Sequence, residues 1–176
     1  MDNGDNWATG YSSFTSIDFD DGFLKLTAET DYDGWRLSWP ILEDFYLEAK
    51  LQSPKCEGND HFGLMFRSPE KSDATKGYLF GITCDGQYSL RLWNGSVMDF
   101  LIKWTKNDAI KTGANAVNTL GIHAEGTKLI LYVNGQKLEE VNDNTYLDGQ
   151  FGLFVGGINT DGLSVWADQV RYWKIQ

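Results

Sequence analysis

Beyond the first few residues, seven Asx-Gly pairs punctuate this chain: Asp21-Gly22, Asp33-Gly34, Asp85-Gly86, Asn94-Gly95, Asn134-Gly135, Asp148-Gly149 and Asp161-Gly162. Asn or Asp before Gly supplies the positive-φ positions that two-residue hairpins of type I′ require. Most of the pairs are flanked by apolar runs of strand length, and those runs alternate. In 45–52 the odd positions (Phe45, Leu47, Ala49, Leu51) are apolar and the even ones mostly polar. In 61–68, Phe62, Leu64 and Phe66 share one side, with Gly63, Met65 and Arg67 on the other. A hairpin over 78–93 repeats the pattern, with Tyr78, Phe80, Ile82, Tyr88, Leu90 and Leu92 on one side. Further runs follow at 119–124, 129–133, 136–141, 151–155 and 164–175. No segment carries a 3.6-residue apolar repeat, and 106–117, interrupted by Gly113, reads as a loop. Half-buried strands of period two are what an antiparallel sandwich produces. The expectation is an all-β, two-sheet antiparallel sandwich forming a single domain over 1–176, with 1–13 as a loosely held N-terminal segment. Phe62-Gly63-Leu64-Met65-Phe66 echoes Phe151-Gly152-Leu153-Phe154-Val155, which reads as two equivalent sheet positions rather than a duplication.

The charge narrows the partners. Fifteen Lys and Arg against 25 Asp and Glu give −10, and no basic face emerges to displace counterions from a nucleic acid or bind an anionic membrane. The longest apolar runs fall far short of the roughly 20 residues a spanning helix needs, so no membrane insertion is expected. Met1 leads into Asp2-Asn3-Gly4-Asp5 without a basic or apolar leader. The two cysteines, Cys56 in a polar turn and Cys84 at a strand end, are placed to bridge. A Cys56–Cys84 disulfide points to an oxidising compartment. The expected location is therefore extracellular or cell-surface, with a signal peptide outside this sequence.

Several segments together carry a resemblance. They are Asp44-Phe45-Tyr46-Leu47-Glu48, His61-Phe62-Gly63-Leu64-Met65-Phe66-Arg67, Gly77-Tyr78-Leu79-Phe80-Gly81-Ile82, Leu131-Tyr132-Val133-Asn134-Gly135, Phe151-Gly152-Leu153 and Val165-Trp166-Ala167-Asp168-Gln169-Val170. This succession resembles the concanavalin A-like lectin/glucanase superfamily. The pattern is most similar to the laminin G-like and keto-disaccharide-hydrolase-like domains of bacterial secreted proteins. The resemblance implies a curved jelly roll, frequently carbohydrate-binding, sometimes catalytic, and often with a structural calcium.

Catalysis finds little support in the motifs. Glycoside hydrolysis needs two carboxylates across the scissile bond, and the Glu-x-Asp-x-x-Glu type of strand motif of the superfamily's catalytic members is missing. Glu139 and Glu140 fall on opposite faces, and Glu48 stands alone. His61 and His123, the only histidines, lack zinc-ligand spacing. No glycine-rich turn leads into a helix to cradle phosphate, and no cofactor is expected. For calcium, which takes hard oxygen ligands, the candidates are Asp168 and Asp20, without supporting spacing.

The outward sides of the central runs are more informative. If 45–52, 61–68, 78–84 and 88–93 are neighbours, they present Tyr46, Glu48, Arg67, Thr83, Arg91 and Trp93 around a low spot at Gly63 and Gly81. An indole on which a pyranose can lie, flanked by charged donors, is how a polar ligand gains both contact area and orientation. Trp35, Trp39 and Trp104 in loop-like stretches read as lids on the core, and Trp166 and Trp173 as packing. The reading is a non-catalytic carbohydrate-binding or cell-surface recognition module whose partner is a glycan. Its rivals are a glycoside hydrolase or sugar-modifying enzyme of the same fold, and a protein-binding or sensory ectodomain. Oligomeric state is not readable from the sequence.

Overall fold

A computed structural model describes residues 5–69 and 75–176. The chain runs through β1 (Gly10–Tyr11), β2 (Thr15–Asp20), β3 (Phe23–Ala28), β4 (Gly34–Leu42), β5 (Phe45–Gln52), β6 (His61–Ser68) and β7 (Gly77–Thr83). It continues through β8 (Gln87–Trp93), β9 (Met98–Lys106), β10 (Asn118–Glu125), β11 (Lys128–Val133), β12 (Gln136–Asn142), β13 (Gly149–Gly156) and β14 (Ser164–Lys174). One sheet has the order β1-β2-β3-β14-β5-β10-β11-β12 and the other β4-β13-β6-β7-β8-β9, with every pairing antiparallel. Among the described residues no helix is long and apolar enough to cross a membrane.

The two sheets close on one apolar layer. Leu24, Leu26, Phe45, Leu47 and Leu51 from the eight-stranded sheet meet Phe62, Leu64, Phe66, Phe80 and Leu90 from the six-stranded sheet. Each is almost wholly removed from water, and each such side chain contributes about 1.5–3 kcal/mol by burial. The Asx-Gly pairs do different jobs. Asp21-Gly22 and Asn134-Gly135 have positive φ at both residues (53° and 80°, 50° and 79°) and close tight hairpins. Asp33-Gly34 is not a turn at all, because Gly34 already belongs to β4. The echo between 62–66 and 151–155 belongs to neighbouring strands, with Phe62 opposite Val155 and Leu64 opposite Leu153.

Two expectations need correction, one on the run 45–52 and one on the tryptophans of the last strand. The run 45–52 is β5, at the middle of the eight-stranded sheet, so it does not border β6, β7 or β8. The alternation of a strand tells which residues share a face but not which sheet receives it. The N-terminal segment is held over its described part: Trp7 is buried, its ring edge-on to Phe151 at 6.3 Å, and the Trp39 amide donates to the Asn6 carbonyl at 3.0 Å. Residues 1–4 lie outside the described residues. Trp173 is 48% exposed rather than packed inside, and Trp166 lies on the outer side of β14 with the Lys25 ammonium 4.3 Å above its ring.

Cys56 and Cys84 form a disulfide with Cα atoms 5.4 Å apart, tying the loop before β6 to the end of β7. Asp60, fully buried beside it, accepts from the Asn159, Thr160 and Glu57 amides at 2.7, 3.1 and 3.1 Å. Burial alone would push that carboxyl up; the Thr160 hydroxyl and these amides outweigh it and hold the group below the usual range. Together, the bridge and this acid fix the chain entering β6 at His61.

Candidate functional site

β6 and β7 are buried on both faces, unlike β5, which alternates. The cause is a second, smaller apolar cluster on the outer face of the six-stranded sheet. Met65, Leu79 and Phe154 form it, with Trp35, Leu37, Trp93 and Met98 packed around. Gly63 and Gly81 sit opposite one another on β6 and β7. The low spot they make is filled by the Phe154 ring, into which a Cβ on Gly81 would run. The floor of the outer face is thus apolar and closed.

Above this floor opens a cleft of about 500 Å³. Its aromatic walls are Phe14, Tyr32, Trp35 and Trp93, and Met98 and Asp33 also line it. The Trp35 and Trp93 rings lie 6.0 Å apart at 59°. Tyr32 and Phe14 are 73% and 50% exposed at the rim.

Beside the cleft, Asp33 joins two cationic or polar neighbours. Its Oδ2 accepts from Arg91 Nη1 at 2.5 Å, and its Oδ1 lies 2.5 Å from His61 Nε2. The other ring nitrogen of His61, Nδ1, is 2.9 Å from the Asn59 carbonyl. The approach of Asp33 to His61 is possible only because residue 156 is glycine; a Cβ there would strike both groups. Burial would raise the Asp33 carboxyl, but the His61 hydrogen bond and the Arg91 charge prevail and hold it below the ordinary carboxylate range. The Arg91 guanidinium lies between two aromatic rings, with Trp104 at 5.4 Å and Phe154 at 5.3 Å. Arg91 is 5% exposed, yet its Nε and Nη2, like the Ser89 hydroxyl, have no hydrogen-bond partner among the described residues.

The residues singled out from sequence are distributed as follows. Arg91 and Trp93 lie at this site. Thr83, on the same face, donates to Asp85 at 2.5 Å and accepts from the Gln87 amide at 2.9 Å, closing the β7–β8 turn. Arg67 is elsewhere: a β-bulge against β13 gives it φ 49° and throws its side chain to the end of the sandwich. There it is fully buried and donates to the carbonyls of Glu43, Gly126 and Tyr146 at 2.9, 2.7 and 3.4 Å. Tyr46 and Glu48 lie across the sandwich on the outer face of the eight-stranded sheet. Tyr46 stands between Tyr132 and Trp173 at 6.2 and 5.7 Å, and Glu48 is opposite Arg171.

Sequence reasoning missed Asp33, hidden in a pair that reads as a turn, and set His61 aside for want of zinc spacing. His61 shares a strand face with Gly63 and Met65, and that alternation was the available signal. Trp35 and Trp104 were expected to cover core; they line the cleft and cover Arg91 instead.

Of the two calcium candidates, Asp20 holds Lys25 at 2.6 Å and Asp168 holds Lys50 at 2.7 Å. No group of three or more His, Cys, Asp and Glu suited to a metal occurs among the described residues.

Comparison with known proteins bears on fold and family. The carbohydrate-binding module CBM66 from Bacillus subtilis superposes with a TM-score of 0.75 at 22% identity, covering 95% of this chain and 94% of that one. A native glycosidic hydrolase gives 0.68 at 13% identity, covering 97% and 91%. The β-glucanase of Bacillus licheniformis gives 0.67 at 14%, covering 96% and 91%. No curated protein matches the sequence. At these identities the likeness establishes the concanavalin A-like β-sandwich. The sequence match is more specific: over residues 2–175 it fits one family model, so the chain belongs to the 3-keto-alpha-glucoside-1,2-lyase-like domain family.

Proposed function

We propose that the domain is a non-catalytic carbohydrate-binding module that takes its glycan in the cleft on the outer face of the six-stranded sheet. The observation that carries this reading is the aromatic wall of Trp35, Trp93, Tyr32 and Phe14 around a 500 Å³ cleft with a charged cluster at its side. Sugar rings offer apolar CH faces and polar edges, and a cleft with aromatic sides and few fixed polar groups matches both. The similarity to a carbohydrate-binding module and to glycoside hydrolases supports the ligand class. The disulfide supports an extracellular setting.

The family's name carries a lyase activity on 3-keto-α-glucosides, and one feature favours a catalytic second reading: an imidazole oriented by a carboxylate. Elimination beside a ketone requires a base open to the substrate. In this site both ring nitrogens of His61 already face acceptors, and both Asp33 oxygens are engaged. Binding without turnover is therefore the reading the geometry favours. A glycan-array screen followed by Trp fluorescence titration should find a ligand, and 3-keto-α-glucosides and glucans should remain uncleaved. Turnover abolished by Asp33→Asn or His61→Gln would replace the binding reading with the catalytic one.

A further inference from the structure

Arg91 is a buried guanidinium only half used. One terminal nitrogen, Nη1, holds Asp33, while Nε and Nη2 have no partner among the described residues. Those two nitrogens lie on the same edge of the planar group, so their N–H bonds run parallel. That is the fork which meets the two oxygens of a carboxylate side-on. Donors buried without an acceptor carry their full desolvation cost, more so when they belong to a charged group. The two rings flanking the guanidinium keep water from its faces. Asp33 offers Arg91 a single oxygen, because its other oxygen faces His61. Ser89, two residues away on the same side of β8, is fully buried and its hydroxyl is equally unpartnered among the described residues.

We propose that the open edge of Arg91 is a carboxylate subsite, and that the glycan taken by the cleft carries a uronic acid whose carboxylate docks on Nε and Nη2. The proposal rests on the carbohydrate-binding reading and adds the class of sugar. Asp33 links the subsite to the cleft, lining the cleft and holding Arg91 through Nη1, across the guanidinium from the open edge, and Trp93 lies two residues along the same face of β8. Of the two rings over the guanidinium, Phe154 is fully buried in the sheet, whereas Trp104 is partly exposed. Approach is therefore from the Trp104 side, and the indole must turn aside to admit the sugar. A neutral sugar could place hydroxyl dipoles on the fork, whereas a carboxylate supplies two charged oxygens at the fork's spacing. The overall −10 gives acidic glycans no long-range attraction. Recognition is then confined to this buried edge.

Calorimetric titration of the intact domain with matched oligosaccharides tests the idea. The probes are tri-galacturonate and a hyaluronan tetrasaccharide, each beside the same oligosaccharide with its carboxyl groups reduced to alcohols, together with neutral laminari- and cello-oligosaccharides. At least one acidic probe should bind about tenfold or more tightly than its reduced counterpart. Arg91→Lys, which keeps the charge and loses the fork, should abolish most of that preference. If glycans bind but no acidic probe outperforms its reduced form, the uronate subsite is overturned and the carbohydrate reading stands. If Arg91→Lys folds and keeps the full preference, the subsite is likewise overturned. If no probe of either kind binds, both readings fall. The wild-type pairs decide the matter even where the variant does not fold.

Discussion

Arg67 and Arg91 both lie on strands of the six-stranded sheet, both fall on the outward side of the alternation, and both are buried, yet they end in opposite conditions. Arg67 sits at the end of the sandwich and spends its guanidinium on three backbone carbonyls from three different connections. Desolvation lowers its pKa, with the nearby Tyr78, Asp44, Asp148 and Glu43 working the other way. Arg91 sits under Trp104 with one nitrogen paired and two idle. A satisfied buried arginine is a clamp, whereas a half-satisfied one has donors to offer. Burial and residue type do not separate the two; the hydrogen-bond inventory does.

The largest effect that can break this comparison is on stability. Arg67→Ala takes away the donor that three carbonyls share and empties a fully buried site, and should cost about 3–5 kcal/mol. For a domain of this size that lowers Tm by on the order of 10 °C. Arg91→Ala should cost less than half as much, because it severs one ion pair and removes two unsatisfied donors. Thermal denaturation of the two variants side by side reads the difference; equal losses would erase the distinction between clamp and ligand group.

A smaller effect separates the two outer faces. Trp93→Ala should weaken glycan binding by about 1–3 kcal/mol, by analogy with other aromatic stacking platforms. It also loosens the Trp35 contact and the cluster on Phe154, so some stability is lost with it. Trp173→Ala, across the sandwich and half exposed, should change neither binding nor Tm appreciably. Fluorescence titration and melting of both variants measure this, and equal losses of binding would move the site to the face that carries Tyr46.

The smallest effect is a change in the acid limb of stability. Asp33 has a depressed carboxyl in the folded state, so its contribution is complete above the ordinary unfolded value near 4 and is lost as pH falls through the folded value. Asp33→Asn should flatten that part of the curve while Asp60 and Asp143, also held low, keep the remainder. Denaturant midpoints for both proteins between about pH 2 and pH 6 check the sign; an unchanged acid limb would mean that the Asp33 ion pairs contribute nothing measurable.

The fold was legible because period-two alternation and Asx-Gly turns are local signals. β5 to β8 and β10 to β14 were visible as runs, whereas β1 to β4 and β9 were not. The sheet to which β5 belongs depends on pairings between distant residues, and that is where the expected surface came apart. Alternation alone places Arg91 and Trp93 on the outer face of the six-stranded sheet, where the structure has them. Arg67 was misplaced because one bulge residue at φ 49° reverses the side on which its chain emerges. Asp33 stayed hidden because Asp before Gly has a sufficient local explanation, and nothing local announces that His61 and Arg91 will converge on it.

The position of β14 between β3 and β5 has a consequence for how the molecule is made. Without it, the eight-stranded sheet is two separate pieces: the β1-β2-β3 group and the β5-β10-β11-β12 group. The residues that join them are the last of the fourteen strands to leave the ribosome, where synthesis runs at about 5–20 residues per second. Until then the nascent chain holds unpaired edges along β3 and β5, the kind of edge that recruits other chains. Truncation within Ser164–Lys174 should therefore yield aggregation rather than a slightly shortened domain, and the period of vulnerability during synthesis lasts until the final strand is released.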